Sequence, residues 1–180
     1  MNNDEVNKIE KTFRNSTSSD ELFDAFRDAL KLNLSDLGLY KILLANPTLS
    51  TDEVKLFTEK LIKEISAASF DLSMWAGKVF ENRTDYFNNV QDAFFYYERA
   101  LSHKPDSYEP LLSLLNLYNY EMNLPLNQKI FDIIGRSVSS VTLKSKIYYA
   151  LSNHYKKCGN SNLEIKYYAL AERASENENR

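Results

Sequence analysis

Aromatic residues recur in this chain at a step that few folds accommodate. Tyr97, Phe131 and Tyr168 are separated by 34 residues (131 minus 97) and 37 residues (168 minus 131), and three residues after each come Ala100, Ile134 and Ala171. A second set, Phe80, Tyr118 and Tyr155, precedes them. Each of these follows a small or apolar pair: Ala76 and Gly77, Leu114 and Leu115, Leu151 and Ser152. Two helix types keeping one register point to tandem helix pairs, because periods of roughly 20 to 50 residues mark repeat architectures.

Helical stripes and start signals run along the whole chain. Val6, Ile9 and Phe13 mark a first helix; Leu22, Phe26 and Ala29 share one face of a second. Ser18 with Glu21, and Ser50 with Glu53, have capping-box spacing, in which each side chain satisfies a backbone N–H at the helix start. Ser35 and Asp36 open a helix carrying Leu39, Leu43 and Leu44, which Pro47 stops. Val54, Phe57, Leu61 and Ile65 form the next stripe. The polar NRTDYFNNV, residues 82–90, reads as the longest loop. Asp106 and Glu109 are expected to cap a helix with Pro110 in its first turn, where a missing N–H does no harm. Leu124, Pro125 and Leu126 break the chain before Ile130, Phe131 and Ile134. The last two helices centre on Tyr148, Leu151 and Tyr155, then on Ile165, Tyr168 and Ala171, with Gly159 as a left-handed stop between them. About ten helices and no strand are expected, and the tail ENENR reads as solvated.

Ala93-x3-Tyr97, Ala100 and Pro105, and then Leu151, Tyr155, Gly159, Tyr168 and Ala171, resemble the tetratricopeptide repeat (TPR) family, whose 34-residue helix-turn-helix pattern runs W-x2-L-G-x2-Y, A-x3-F and a closing proline. The resemblance implies an all-α, right-handed α-solenoid of antiparallel helix pairs forming a single domain over 1–180. Residues 73–177 hold three recognisable repeats, 1–72 diverged helical pairs, and 178–180 a polar tail. The sequence departs from the family pattern in several places. About four extra residues separate Phe80 from Ala93, Asn127 stands where the family has alanine, and Leu115 and Ser152 replace its small residue. A non-repeating helical bundle buries the same stripes and is the alternative.

Composition narrows the function. A chain of 180 residues should bury about 70% of its unfolded surface and hold a core without staples. Four Gly and four Pro are too few for many-stranded folds or glycine-cradled phosphate sites, while 12 Tyr and 10 Phe supply half-buried rings with wet hydroxyls. A net charge of −3 gives no electrostatic footprint for nucleic acid. No apolar run approaches the roughly 18 residues of a membrane span. The single Cys158 excludes an internal disulfide and, with a start lacking the basic and apolar regions of a signal peptide, suggests a cytoplasmic protein.

No catalytic motif is present, so the chain is read as a non-enzyme without cofactor or metal. His154 and Cys158, spaced i, i+4, share a helix face, but an ordinary thiol and a helix-end histidine account for them, since a metal needs further ligands. In a solenoid, function lies on the groove formed by the first helices of successive pairs. Residues one step off the core stripe are expected to line it: Lys78, Asn116, Asn119, Tyr120, Lys146, Tyr149, Asn153 and Lys156. Amides can both donate to and accept from an extended peptide backbone, and lysines can hold a carboxylate. Some family members clamp a peptide carboxylate from such places. Asn116, Asn153 and Lys146 fit part of that set, whereas Leu112 and Ala150 stand where polar residues would belong. The expected function is a protein-interaction scaffold binding a peptide or helix on the concave face. The alternative is a structural subunit that self-associates or assembles through its terminal helices.

Overall fold

The computed structural model describes residues 3–83, 86–122 and 124–179. Among them the fold is all-α, with ten helices, two short 3-10 turns and no strand. The chain divides into two compact units, Met1–Asn89 and Val90–Arg180. The first contains α1 (Asn3–Asn15), α2 (Ser19–Lys31), α3 (Leu37–Leu44), α4 (Thr51–Glu64) and α5 (Ser69–Glu81). The second contains most of α6 (Tyr86–His103), then α7 (Glu109–Asn116), α8 (Pro125–Ser137), α9 (Lys144–Lys157) and α10 (Ser161–Glu178).

In the first unit the apolar stripes go inside. Leu22, Phe26 and Ala29 of α2, Tyr40 and Leu43 of α3, and Phe57 and Leu61 of α4 are all buried. Helices adjacent in the chain touch (α1 with α2, α3 with α4, α4 with α5), and so do helices two apart, α1 with α3 and α3 with α5. Phe57 extends the pattern to α2 and α4, its ring 4.5 Å from that of Phe26. Three side-chain bonds in this unit join residues 34 apart. The Trp75 indole N–H donates to the Lys41 carbonyl (3.0 Å), Arg83 Nη2 donates to the Leu49 carbonyl (2.7 Å), and the Ser19 hydroxyl donates to Glu53. The second unit repeats this order: α7 touches α8 and α9, and α9 touches α10. There the Tyr120 hydroxyl meets His154 Nδ1 at 2.9 Å, again across 34 residues. Ala93, Tyr97 and Ala100 of α6 are fully buried.

Helix ends follow local chemistry. Ser50 and Glu53 complete the reciprocal capping box. Ser18 receives the Glu21 N–H, but the Glu21 carboxylate turns to the Ser16 hydroxyl (2.6 Å), so that box is half made. The α2 and α9 ends share one device. A left-handed residue, Asn33 at φ 52° and Gly159 at φ 69°, turns the next N–H back onto the helix: Leu34 N–H to the Ala29 carbonyl (3.1 Å), and Asn160 N–H to the Tyr155 carbonyl (2.9 Å).

Four sequence readings are corrected. The 82–90 loop is shorter, because α6 starts at Tyr86; Thr51 donates to Asn89 Oδ1 (3.2 Å), tying this first turn to the start of α4. Residues 84 and 85 of that reading lie outside the described residues. Asp106 does not cap α7. Ser107 Oγ accepts the Glu109 N–H (3.3 Å), while the Asp106 carbonyl takes the Thr142 N–H (3.0 Å). Tyr168 and Ile165 do not pack inside: they are 53% and 68% exposed, Ala171 is the buried residue of α10, and Tyr167 stacks on Tyr155 at 5.3 Å. The tail is not simply solvated, since the Glu178 carboxylate takes both the N–H and the hydroxyl of Ser145, at an α9 start without a cap of its own.

Candidate binding surface

In the second unit, α7 and α9 bury one face and leave another clear. Leu111, Leu114 and Leu115 turn α7 inward, and Ile147, Leu151 and Ser152 do so for α9, so Asn116, Lys146, Asn153 and Lys156 stand exposed. Asn116 and Asn153 make no side-chain hydrogen bond to the described residues and keep all their donor and acceptor capacity. Lys156 reaches Glu164 only at 4.0 Å, a contact worth little at the surface. Tyr149 is half-buried and donates to Glu172, a bond that pushes its hydroxyl pKa up to about 12. Its hydroxyl is therefore committed to α10.

The side-chain carbonyl oxygen of Asn119 is committed too. This Oδ1 accepts the N–H groups of Glu121 and Met122 at 2.9 Å. Asn127, a buried polar residue, explains itself here. Its Nδ2 donates to the Asn119 and Met122 carbonyls (2.9 and 3.0 Å), and its Oδ1 accepts the Asn119 N–H (3.1 Å). One buried amide thus satisfies three backbone groups of the turn before α8.

Tyr120, exposed on its outer side, leads into an aromatic cluster. The ring of His154, only 3% exposed, lies 4.5 Å from Tyr118, 5.0 Å from Phe131, 5.1 Å from Tyr155 and 5.3 Å from Tyr120. Its Nε2 is 3.5 Å from Cys158 Sγ, and Lys157 Nζ stands 5.6 Å from the Tyr120 ring. Burial pushes the imidazole pKa below its ordinary value, and Lys157 adds in the same direction. Sequence reading treated His154 as a plain helix-end residue; the signal available was its 34-residue spacing from Tyr120. No group of three or more His, Cys, Asp or Glu among the described residues is placed to hold a metal ion.

Lys78 belongs to the first unit, apart from the other seven expected residues. It lines a cleft of about 570 Å³ with Pro47, Trp75, Val79, Asn82 and Arg83. Lys41 Nζ stands 5.6 Å from the centre of the Trp75 ring. Burial lowers the Arg83 pKa, with Glu53 opposing the shift. Among the described residues no helix is long and apolar enough to cross a membrane. Comparison with known proteins finds no matching family model, no similar curated protein and no similar solved structure.

Proposed function

We propose that the chain is a non-catalytic protein-interaction module, a TPR-like solenoid of antiparallel helix pairs that binds an extended peptide along its first helices. The bonds spanning 34 residues, and the contacts between helices two apart, support the repeat reading. One observation carries the binding reading. Asn116 and Asn153, each two residues before a tyrosine, lie on the touching helices α7 and α9, both exposed and both without a hydrogen-bond partner among the described residues. Lys146 and Lys156 flank Asn153 on the same face of α9 and favour a peptide carrying a carboxylate. The Oδ1 of Asn119 and the hydroxyl of Tyr149 are held within the fold and shape the surface.

Selection from a random-peptide display library, followed by amide chemical-shift mapping of an enriched peptide, tests this. The expected result is shifts concentrated on the side-chain amides of Asn116 and Asn153. An enriched peptide that leaves both unshifted places the site elsewhere.

A second reading rests on α10, where Ile165 and Tyr168 are exposed on a helix whose one buried residue is Ala171. It makes the chain a self-associating structural subunit. Light scattering after size-exclusion chromatography decides: a mass that rises with concentration, and falls to 20.9 kDa on Ile165→Glu, supports it. A constant monomer mass removes it.

A further inference from the structure

We infer that the cleft of the first unit binds an aromatic phosphate monoester, its ring against Pro47, Trp75 and Val79 and its phosphate held by Lys78 and Arg83. The inference does not rest on the peptide-binding reading, whose two asparagines, Asn116 and Asn153, lie in the other unit.

The sign of the local charge decides the class of ligand. The chain as a whole carries −3, yet the described residues lining the cleft include Lys78 and Arg83 and no carboxylate. Lys41, its Nζ 5.6 Å from the centre of the Trp75 ring, adds a further cation beside it. The acidic group that acts on Arg83 is Glu53, and its carboxylate is already engaged by the Ser19 and Ser50 hydroxyls and the Ser50 N–H. Lys78 is exposed and forms no ion pair with a described residue. Two cations in one cleft suit a dianion, and a phosphate monoester carries about −1.5 to −2 at neutral pH. Its three oxygens can take both a guanidinium fork and an ammonium, whereas a carboxylate brings a single charge.

The apolar side of the cleft accounts for the ring. Trp75, Lys78, Val79 and Asn82 follow one another at i, i+3, i+4 and i+7, so one face of α5 carries an indole, an ammonium and an aliphatic group together. Pro47 stands across from them on the link between α3 and α4, and a half-buried indole is a surface on which a flat ring packs. The walls are pre-formed. The Trp75 indole N–H is fixed on the Lys41 carbonyl (3.0 Å), and Arg83 Nη2 on the Leu49 carbonyl (2.7 Å). Thr51 donates to Asn89 Oδ1 (3.2 Å), tying the start of α4 to α6. A guanidinium anchored by one donor loses little further freedom when it grips an oxyanion. The volume of about 570 Å³ falls among those of small-molecule sites, roughly 300–1,000 Å³.

Trp75 is the only tryptophan, so its fluorescence reports on this cleft alone. Titration of the full chain at neutral pH with phenyl phosphate, benzyl alcohol and inorganic phosphate is the test. The expected result is a saturable change with phenyl phosphate. Benzyl alcohol, which lacks the anion, and inorganic phosphate, which lacks the ring, should each bind at least about tenfold more weakly. Lys78→Gln, a substitution at an exposed position, should weaken phenyl phosphate by about fivefold or more with an unchanged melt. N-acetyl-phosphotyrosine amide distinguishes the source of the phosphate. Tighter binding than phenyl phosphate assigns the site to a phosphorylated tyrosine side chain, equal or weaker binding to a free small molecule, and both sustain it. No saturable change with phenyl phosphate, equal binding of benzyl alcohol or inorganic phosphate, or an unchanged affinity in Lys78→Gln would each overturn the inference. The asparagines of the peptide site are untouched by these titrations, so failure here and failure there are separate results.

Discussion

Single buried polar groups decide much of the local energetics. Asn127 satisfies three backbone groups from a 5% exposed position. Asn127→Ala removes these bonds and strands their partners, so a loss of about 2 kcal/mol is expected. That is a fall of about 4–8 °C in Tm; an unchanged thermal melt would show that water replaces the amide without cost. Thr58 behaves oppositely. Its buried hydroxyl, like that of Ser73, has no partner among the described residues. Thr58→Val, nearly equal in shape, is expected to stabilise by about 1 kcal/mol, read in the same melt. The sequence flagged Asn127 as a departure from a repeat pattern but not its purpose, because its partners, Asn119 and Met122, depend on how the turn folds. The same holds for His154: its rings come from two other segments as well as its own helix, and no local pattern announces a cluster built that way.

At the scale of the element, what is local was readable. Ser50 with Glu53 and Gly159 obey short-range geometry, and the helix ends there adopt it. A Cβ at Gly159 would meet nothing within 4 Å, so the strain of Gly159→Ala is purely conformational. It is expected to cost about 1–2 kcal/mol, measured by urea denaturation. Asparagine tolerates the left-handed region, as Asn33 shows, so Gly159→Asn should cost about half as much. Equal costs would contradict this account of the turn. The stripe of α10 was misread for a physical reason. A one-residue shift turns a helix by about 100°, and in α10, which touches α9, that shift separates Tyr167, stacked on Tyr155, from exposed Tyr168. The stripes of α2 and α4 were legible because their apolar residues recur at helical spacing and go inside as spaced: Leu22, Phe26 and Ala29, and Val54, Phe57 and Leu61, are all buried.

For the whole molecule, the 34-residue step first seen between Tyr97 and Phe131 reappears as hydrogen bonds between Lys41 and Trp75, Leu49 and Arg83, and Tyr120 and His154. Each bond lies within one of the two units. Of the residues expected to bind, Asn116, Lys146, Asn153 and Lys156 are exposed on one unit, Lys78 lies on the other, and the Asn119 Oδ1 and the Tyr149 hydroxyl are engaged within the fold. Spacing revealed the face but not which side chains on it are already engaged. The affinity of a selected peptide for the wild type and for Asn116→Ala with Asn153→Ala, measured by calorimetry, tests the central claim most directly. Losing two exposed amides that bridge to a peptide backbone should weaken binding about tenfold or more, at about 1 kcal/mol per hydrogen bond, with Tm unchanged. Equal affinity in the double variant would contradict the account.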